Sequence, residues 1–322
     1  MAVLPNSIAL SQPKVFELLM TIDLFDAQYY AAANPDLASA GVTSISQLGS
    51  HFSTFGLAEG RRFSAYADLS YYKQINGDLA AAGLTTNAQV YGHLSNFGVA
   101  EGRSFSPFVD INFYLSANTD VAQAFNNNRE RALKHMDDFG VSEGRLVSPY
   151  VDLGFYGYAN GDVAQAFSQD KEKIFNHLTI YGINENRKFS VVFNSDNYNL
   201  FNPELSRAGL NTDPKLFNHF VQYGASEGRL SSSVFNVGFY KQNNGDLASA
   251  GLTQNTQLFS HFQAFGLGDG RKSSNVFDVS YYRGNNPDLG EAGISTNRTA
   301  VWHYLAYGRD ESRPAVAPAP AS

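Results

Sequence analysis

Cysteine is absent from the 322 residues, which excludes disulfides, thiolate catalysis and cysteine metal sites. That lack fits a cytosolic protein, and equally an exported bacterial one. Basic charge is in deficit. Lys and Arg number 23 against 30 Asp and Glu, giving a net charge of -7. Such a chain is a poor non-specific binder of nucleic acid and a poor ligand for an anionic membrane, so no nucleic-acid partner is expected. No apolar run approaches the roughly 20 residues that span a bilayer, so no membrane insertion is expected either. The N-terminus lacks a cationic stretch followed by an apolar segment and a small-residue cleavage site, which argues against the Sec route. A C-terminal secretion signal would escape that test. No P-loop and no GxGxxG opening a βαβ unit occurs.

Aromatic residues are plentiful, at 14% of the chain and nearly all Phe or Tyr, within a hydrophobic content of 43%. They recur with a period. Asn34 returns as Asn76, Asn118, Asn160, Asn202, Asn244 and Asn286, always 42 residues on. All seven histidines share one phase: His51, His93, His135, His177, His219, His261 and His303. Gly56, Glu59 and Arg61 follow at the same step, the arginines being Arg103, Arg145, Arg187, Arg229, Arg271 and Arg313. A fixed period of this length marks a repeat architecture. The units are 25–66, 67–108, 109–150, 151–192, 193–234, 235–276 and 277–318, preceded by residues 1–24 and overlapped by a Pro/Ala-rich tail over 314–322.

One unit reads as about three short helices. Asp26 is an N-cap for a helix carrying Tyr29 and Tyr30. Asn34-Pro35 reads as the next N-cap with proline at the first helical position, Asp36 favouring the dipole of that turn. Gly41 ends this helix in a left-handed cap. Ser44 and Gln47 form a capping box, repeated by Thr86 and Gln89. Leu48, His51, Phe52 and Phe55 then fall on one helical face, and Gly56 stops the helix. Asn186 stands for glycine in the Glu59-Gly60-Arg61 turn of the fourth unit, asparagine being the next best left-handed residue. No period-two strand pattern occurs. Helices this short need neighbours, so the expected fold is all-α: a right-handed or superhelical α-solenoid of seven 42-residue repeats, a rod or superhelix of roughly 70 Å at 8–10 Å per packed helix. Residues 11–22 form an N-terminal capping helix, and the tail is extended or disordered.

The repeated polar residues read mainly as structural. Each unit supplies one histidine, and copies about 10 Å apart cannot share a metal ion at about 2 Å per bond. Each is expected to be a core residue bonded to backbone or carboxylate. Arg61 and its copies either hold a ligand anion or, the favoured reading, pair with Asp26, Asp36 or Asp68 in a ladder that fixes the stacking. Turn acids such as Asp36 cap helices rather than bind Ca²⁺, one carboxylate per turn being too few. Trp302 breaks the period, its counterparts being Ser50, Gly92, Lys134, Asn176, Asn218 and Ser260. It is a cap-packing residue or a partner anchor. Asn126-Asn127-Asn128 and Arg129-Glu130-Arg131 read as a solvated face. No unit gains a unique nucleophile or base, so neither an enzyme nor a cofactor is expected.

The pattern FDxxYYxxxNPDL…HFxxFGxxEGR resembles a repeat found in tandem in many cyanobacterial and proteobacterial proteins, beside calcium-binding, haemolysin-like or glycosyltransferase regions. The resemblance covers about nine-tenths of the chain. It implies bacterial origin and a non-catalytic role. The leading expectation is a scaffold or linker that organises other proteins in a large assembly, with a phycobilisome linker as the specific case. Against that case, such linkers are usually basic. The alternative is an extracellular or cell-surface binding module for polysaccharide or Ca²⁺, which aromatic residues repeated on the outside would favour. Location follows the role: cytoplasmic, or thylakoid-associated through partners, for the first, and non-Sec export for the second.

Overall fold

The computed structural model describes residues 22–318. The capping helix expected over 11–22 lies outside them except for Ile22. The described chain is all-helical, with no strand among the described residues, and the same elements recur every 42 residues. In the first unit they are Ala27–Ala33, Asp36–Ser39 and a long helix built from Ile45–His51, Phe52–Gly56 and Leu57–Glu59. No helix among the described residues is long and apolar enough to cross a membrane.

Local chemistry explains the starts. Asp26 accepts from the amides of Gln28 and Tyr29 at 2.8 and 2.9 Å. Both capping boxes form. Gly41 and Asn186 sit in the left-handed region as expected, at φ 78° and 53°.

Asn34 is not the N-cap of the second helix; Pro35 holds that position, without a side-chain cap. Its amide instead donates to Tyr30 O at 2.8 Å and Arg62 O at 2.9 Å. The side chain ties the end of the first helix to the segment that leaves the unit. A buried side chain donating to two carbonyls is spent on satisfying them and has turned away from the helix start.

Gly56 does not stop the long helix. Its φ of -58° and ψ of -38° are helical, and the chain turns left-handed only at Gly60, φ 70°. Glycine is needed at 56 for space, since a Cβ there would fall on the Tyr30 hydroxyl. Every copy repeats this, through Gly308 against Tyr282.

The stretch Phe52–Gly56 is a π-helical turn, with Leu57 N–H bonding Phe52 O. One extra residue in a turn rotates everything after it. Gly56 therefore comes round to Tyr30 and Phe55 swings outward, 55% exposed. The expected core face Leu48, His51, Phe52, Phe55 thus loses its last member, while Leu48 and Phe52 stay buried.

Between units the chain runs extended and buried, as in Phe63, Ser64, Ala65 and Ala67. Each such segment bonds to the one before it: Asp26 N to Phe63 O at 3.0 Å, Asp68 N to Phe105 O at 3.0 Å, and onward to Asp278 N and Ala315 O at 2.9 Å. Pro314 and Ala315, expected in the tail, belong to this column, Pro314 O accepting from Asn286. Neighbouring long helices meet where Asn87 donates to Ala58 O. Arg129, Lys171, Asn255 and Asn297 do the same in later units, so Arg129 braces a joint and is not only part of a solvated face.

The stack is wound tightly. Arg62 donates to Thr179 O at 2.6 Å, and Lys188 donates to Leu305 O at 3.0 Å, each 117 residues away. The first unit thus touches the fourth, and the fourth the seventh. Phe108 packs on Phe217 and Tyr150 on Phe259, at 5.5 and 5.9 Å, linking the second unit to the fifth and the third to the sixth. Three units therefore make one superhelical turn, and the core is shared between turns as well as between neighbours. A length counted from seven units laid end to end overstates such a coil.

Candidate binding surface

Each unit is locked by one tyrosine. Tyr30, Tyr72, Tyr114, Tyr156, Tyr198, Tyr240 and Tyr282 are completely buried. Their hydroxyls bond the Nδ1 of His51, His93, His135, His177, His219, His261 and His303 at 2.7–2.9 Å. The histidine partner is therefore a tyrosine hydroxyl rather than the backbone or carboxylate expected. Nothing in sequence spacing alone joins two residues 21 apart on separate helices.

Burial sets both titrations. It pushes Tyr72, Tyr114 and Tyr282 up to about 12, and it pulls His177, His219, His261 and His303 below their ordinary value. Burial thus favours the neutral form of these four histidines, and the tyrosine hydroxyl can pair with Nδ1 in either tautomer, as donor or as acceptor.

One turn on from each histidine stands an exposed ring: Phe55, Phe97, Phe139, Tyr181, Tyr223, Phe265 and Tyr307, each 44–55% exposed. They lie 5.5–5.8 Å from the histidine rings. The π turn places them, which is why helical periodicity alone assigns them to the core. Two carry hydroxyls that reach back one superhelical turn. Tyr181 donates to Ala32 O at 3.3 Å and Tyr307 to Tyr158 O at 3.4 Å.

Arg61 closes its bonds inside its own unit. It meets Asp36 at 2.8 Å and Glu59 at 2.5 Å. Arg103, Arg145, Arg187, Arg229, Arg271 and Arg313 repeat both pairs. Of the three acids expected, Arg61 thus takes Asp36 of its own unit, and the seven pairs form separate clasps rather than a ladder, each pinning the second helix to the turn after the third. The guanidinium holds Asp78, Asp120, Asp162, Glu204, Asp246 and Asp288 below the usual carboxylate range. Two acids on each arginine leave no spare positive charge for an anion.

Trp302 points inward. Its Nε1 donates to Asp152 Oδ2 at 3.2 Å and its ring lies 6.0 Å from Tyr158, both in the fourth unit. Arg298 joins the same carboxylate at 2.9 Å and Gln263 at 3.2 Å. Trp302 and Arg298 therefore seal the fourth unit to the seventh, which fits the packing reading of Trp302.

No family model matches the chain, and no curated protein or solved structure matches it.

Proposed function

We propose that the protein is a non-enzymatic scaffold that engages other proteins through its repeated outer rings. One observation carries the reading: seven exposed aromatics in one phase on a wound, multiply braced body. Exposed rings in fixed array give the desolvated anchors on which protein interfaces depend, and repetition makes binding multivalent. The specific role of a light-harvesting linker in the cytoplasm draws on the repeat resemblance alone, and the acidic charge weighs against it.

A surface module for polysaccharide, exported without a Sec signal, is the second reading. The same rings favour it, since a flat exposed aromatic face suits a sugar ring as well as a side chain. The test compares the wild type with a variant carrying Phe55→Ala, Phe97→Ala and Phe139→Ala. Proteins that co-purify with the native chain and are lost with the variant support the scaffold. A glycan-array signal lost with the variant moves the assignment to the second reading. If neither depends on these rings, both readings fail.

A further inference from the structure

The contact between superhelical turns is built from the same positions each time, but not from the same residues. Between the fourth and seventh units Asp152 is 2% exposed and gives Oδ1 to its own helix, accepting from Phe155 N at 3.0 Å. Its Oδ2 takes the guanidinium of Arg298, the indole of Trp302 and the amide of Gln263. One unit earlier in both turns the counterparts are Asp110 for Asp152, Thr256 for Arg298, Ser260 for Trp302, Val221 for Gln263 and Ser116 for Tyr158. The acid is kept and its large partners are replaced by small ones.

The consequence is a cavity of about 470 Å³, and all five of those residues line it. Its size falls within the range of small-molecule sites, about 300–1,000 Å³. Tyr71, Tyr150 and Phe265 give it aromatic walls. Asp110 Oδ1 caps its helix, accepting from Asn112 N at 2.9 Å and Phe113 N at 3.0 Å. Among the described residues no side chain bonds the Asp110 carboxyl, and no cation pairs with it. Desolvation accordingly pushes that carboxyl above its usual range, with only the two amides opposing. A partly buried acid without a counter-charge is costly, and a ligand that supplies one recovers that cost.

We propose that this cavity binds a small organic cation with a flat apolar body, such as an aromatic amine, amidine or guanidine. Its charged group sits on Asp110, where Arg298 sits on Asp152. Its ring occupies the place that the Trp302 indole fills in the sister joint. The site is separate from the outer rings except that Phe265 borders both, so the two readings stand or fall independently.

The test is calorimetric titration of the full chain near pH 7 with tryptamine and benzamidine, alongside the neutral analogues indole and benzamide. The cations are expected to bind, and the neutral analogues at least tenfold more weakly. Asp110→Asn is expected to weaken the cations by tenfold or more. It should not unfold the chain, because Asn194 and Asn236 cap the same helix in sister units. The double variant Thr256→Arg with Ser260→Trp copies the sealed joint. It is expected to abolish binding and raise the melting temperature. Failure of both cations to bind the wild type, equal binding of the neutral analogues, or unchanged affinity in Asp110→Asn would each overturn the proposal.

Discussion

Glycine does two unlike jobs in each unit. At Gly60 it supplies a left-handed turn, φ 70°, and at Gly56 it leaves room for a tyrosine hydroxyl. The sequence displays both glycines with equal regularity. It does not say whether backbone angle or side-chain space demands them, which is why Gly56 reads as a helix stop. A pair of variants separates the two needs. Gly140→Ala drives a Cβ onto the Tyr114 hydroxyl and should cost about 1–3 kcal/mol, as overpacking of a close-fitted core does. Gly92→Ala meets nothing within 4 Å, lies in the helix Asn87–His93, and should be neutral or gain up to about 1 kcal/mol. Urea unfolding of the two variants measures the difference, and equal stabilities would remove the close approach as the reason for the glycine.

Among the elements, the first and third helices of each unit are joined by the Tyr–His bond. Helix starts were legible in the sequence because caps are local: Asp26, Ser44 and Thr86 each bond amides within three residues. The π turn was not, since nothing in Phe52–Gly56 announces a fifth residue in the turn. It alone decides that Phe55 is surface and Gly56 is core. Burial of the histidines also makes stability depend on pH. The folded values of His177, His219, His261 and His303 lie below the ordinary one, chiefly through desolvation. The unfolded chain therefore takes up protons first as pH falls. Stability is full above about pH 6.5 and declines through the interval below it, down to the folded values. Urea midpoints at about pH 7.5 and about pH 5.5 should show the decline. A variant with glutamine at those four positions should show a flatter profile, and an unchanged slope would place the dependence elsewhere. The clasped carboxylates titrate lower still, outside this interval.

The whole molecule is held by turn-on-turn contacts as well as by neighbours. The period and the all-α solenoid were legible because they rest on residues present seven times. The winding was not, because several of its hydrogen bonds rest on residues that most units lack: Arg62, Lys188, Arg298 and Trp302, whose counterparts include Ser104, Leu146 and Ser260. The inward Trp302 was therefore open to an outward reading. Trp302→Ala removes a large ring and a bond to a buried carboxylate, and should cost about 3–5 kcal/mol. Hydrogen exchange should quicken in Asn297–His303 and Leu153–Ala159, which face each other, and stay unchanged in the first unit. Uniform quickening throughout would show that the turns do not open separately.

Three units to a turn also ties architecture to copy number. Excising one whole module between the fourth and the last would shift every later module by a third of a revolution. Arg298 and Trp302 would then come to rest above Asp110 instead of Asp152. A change that leaves each module intact would thereby close one hollow and strip the seal from another acid, so gene-level gain or loss of modules reassigns which faces meet without altering a single side chain.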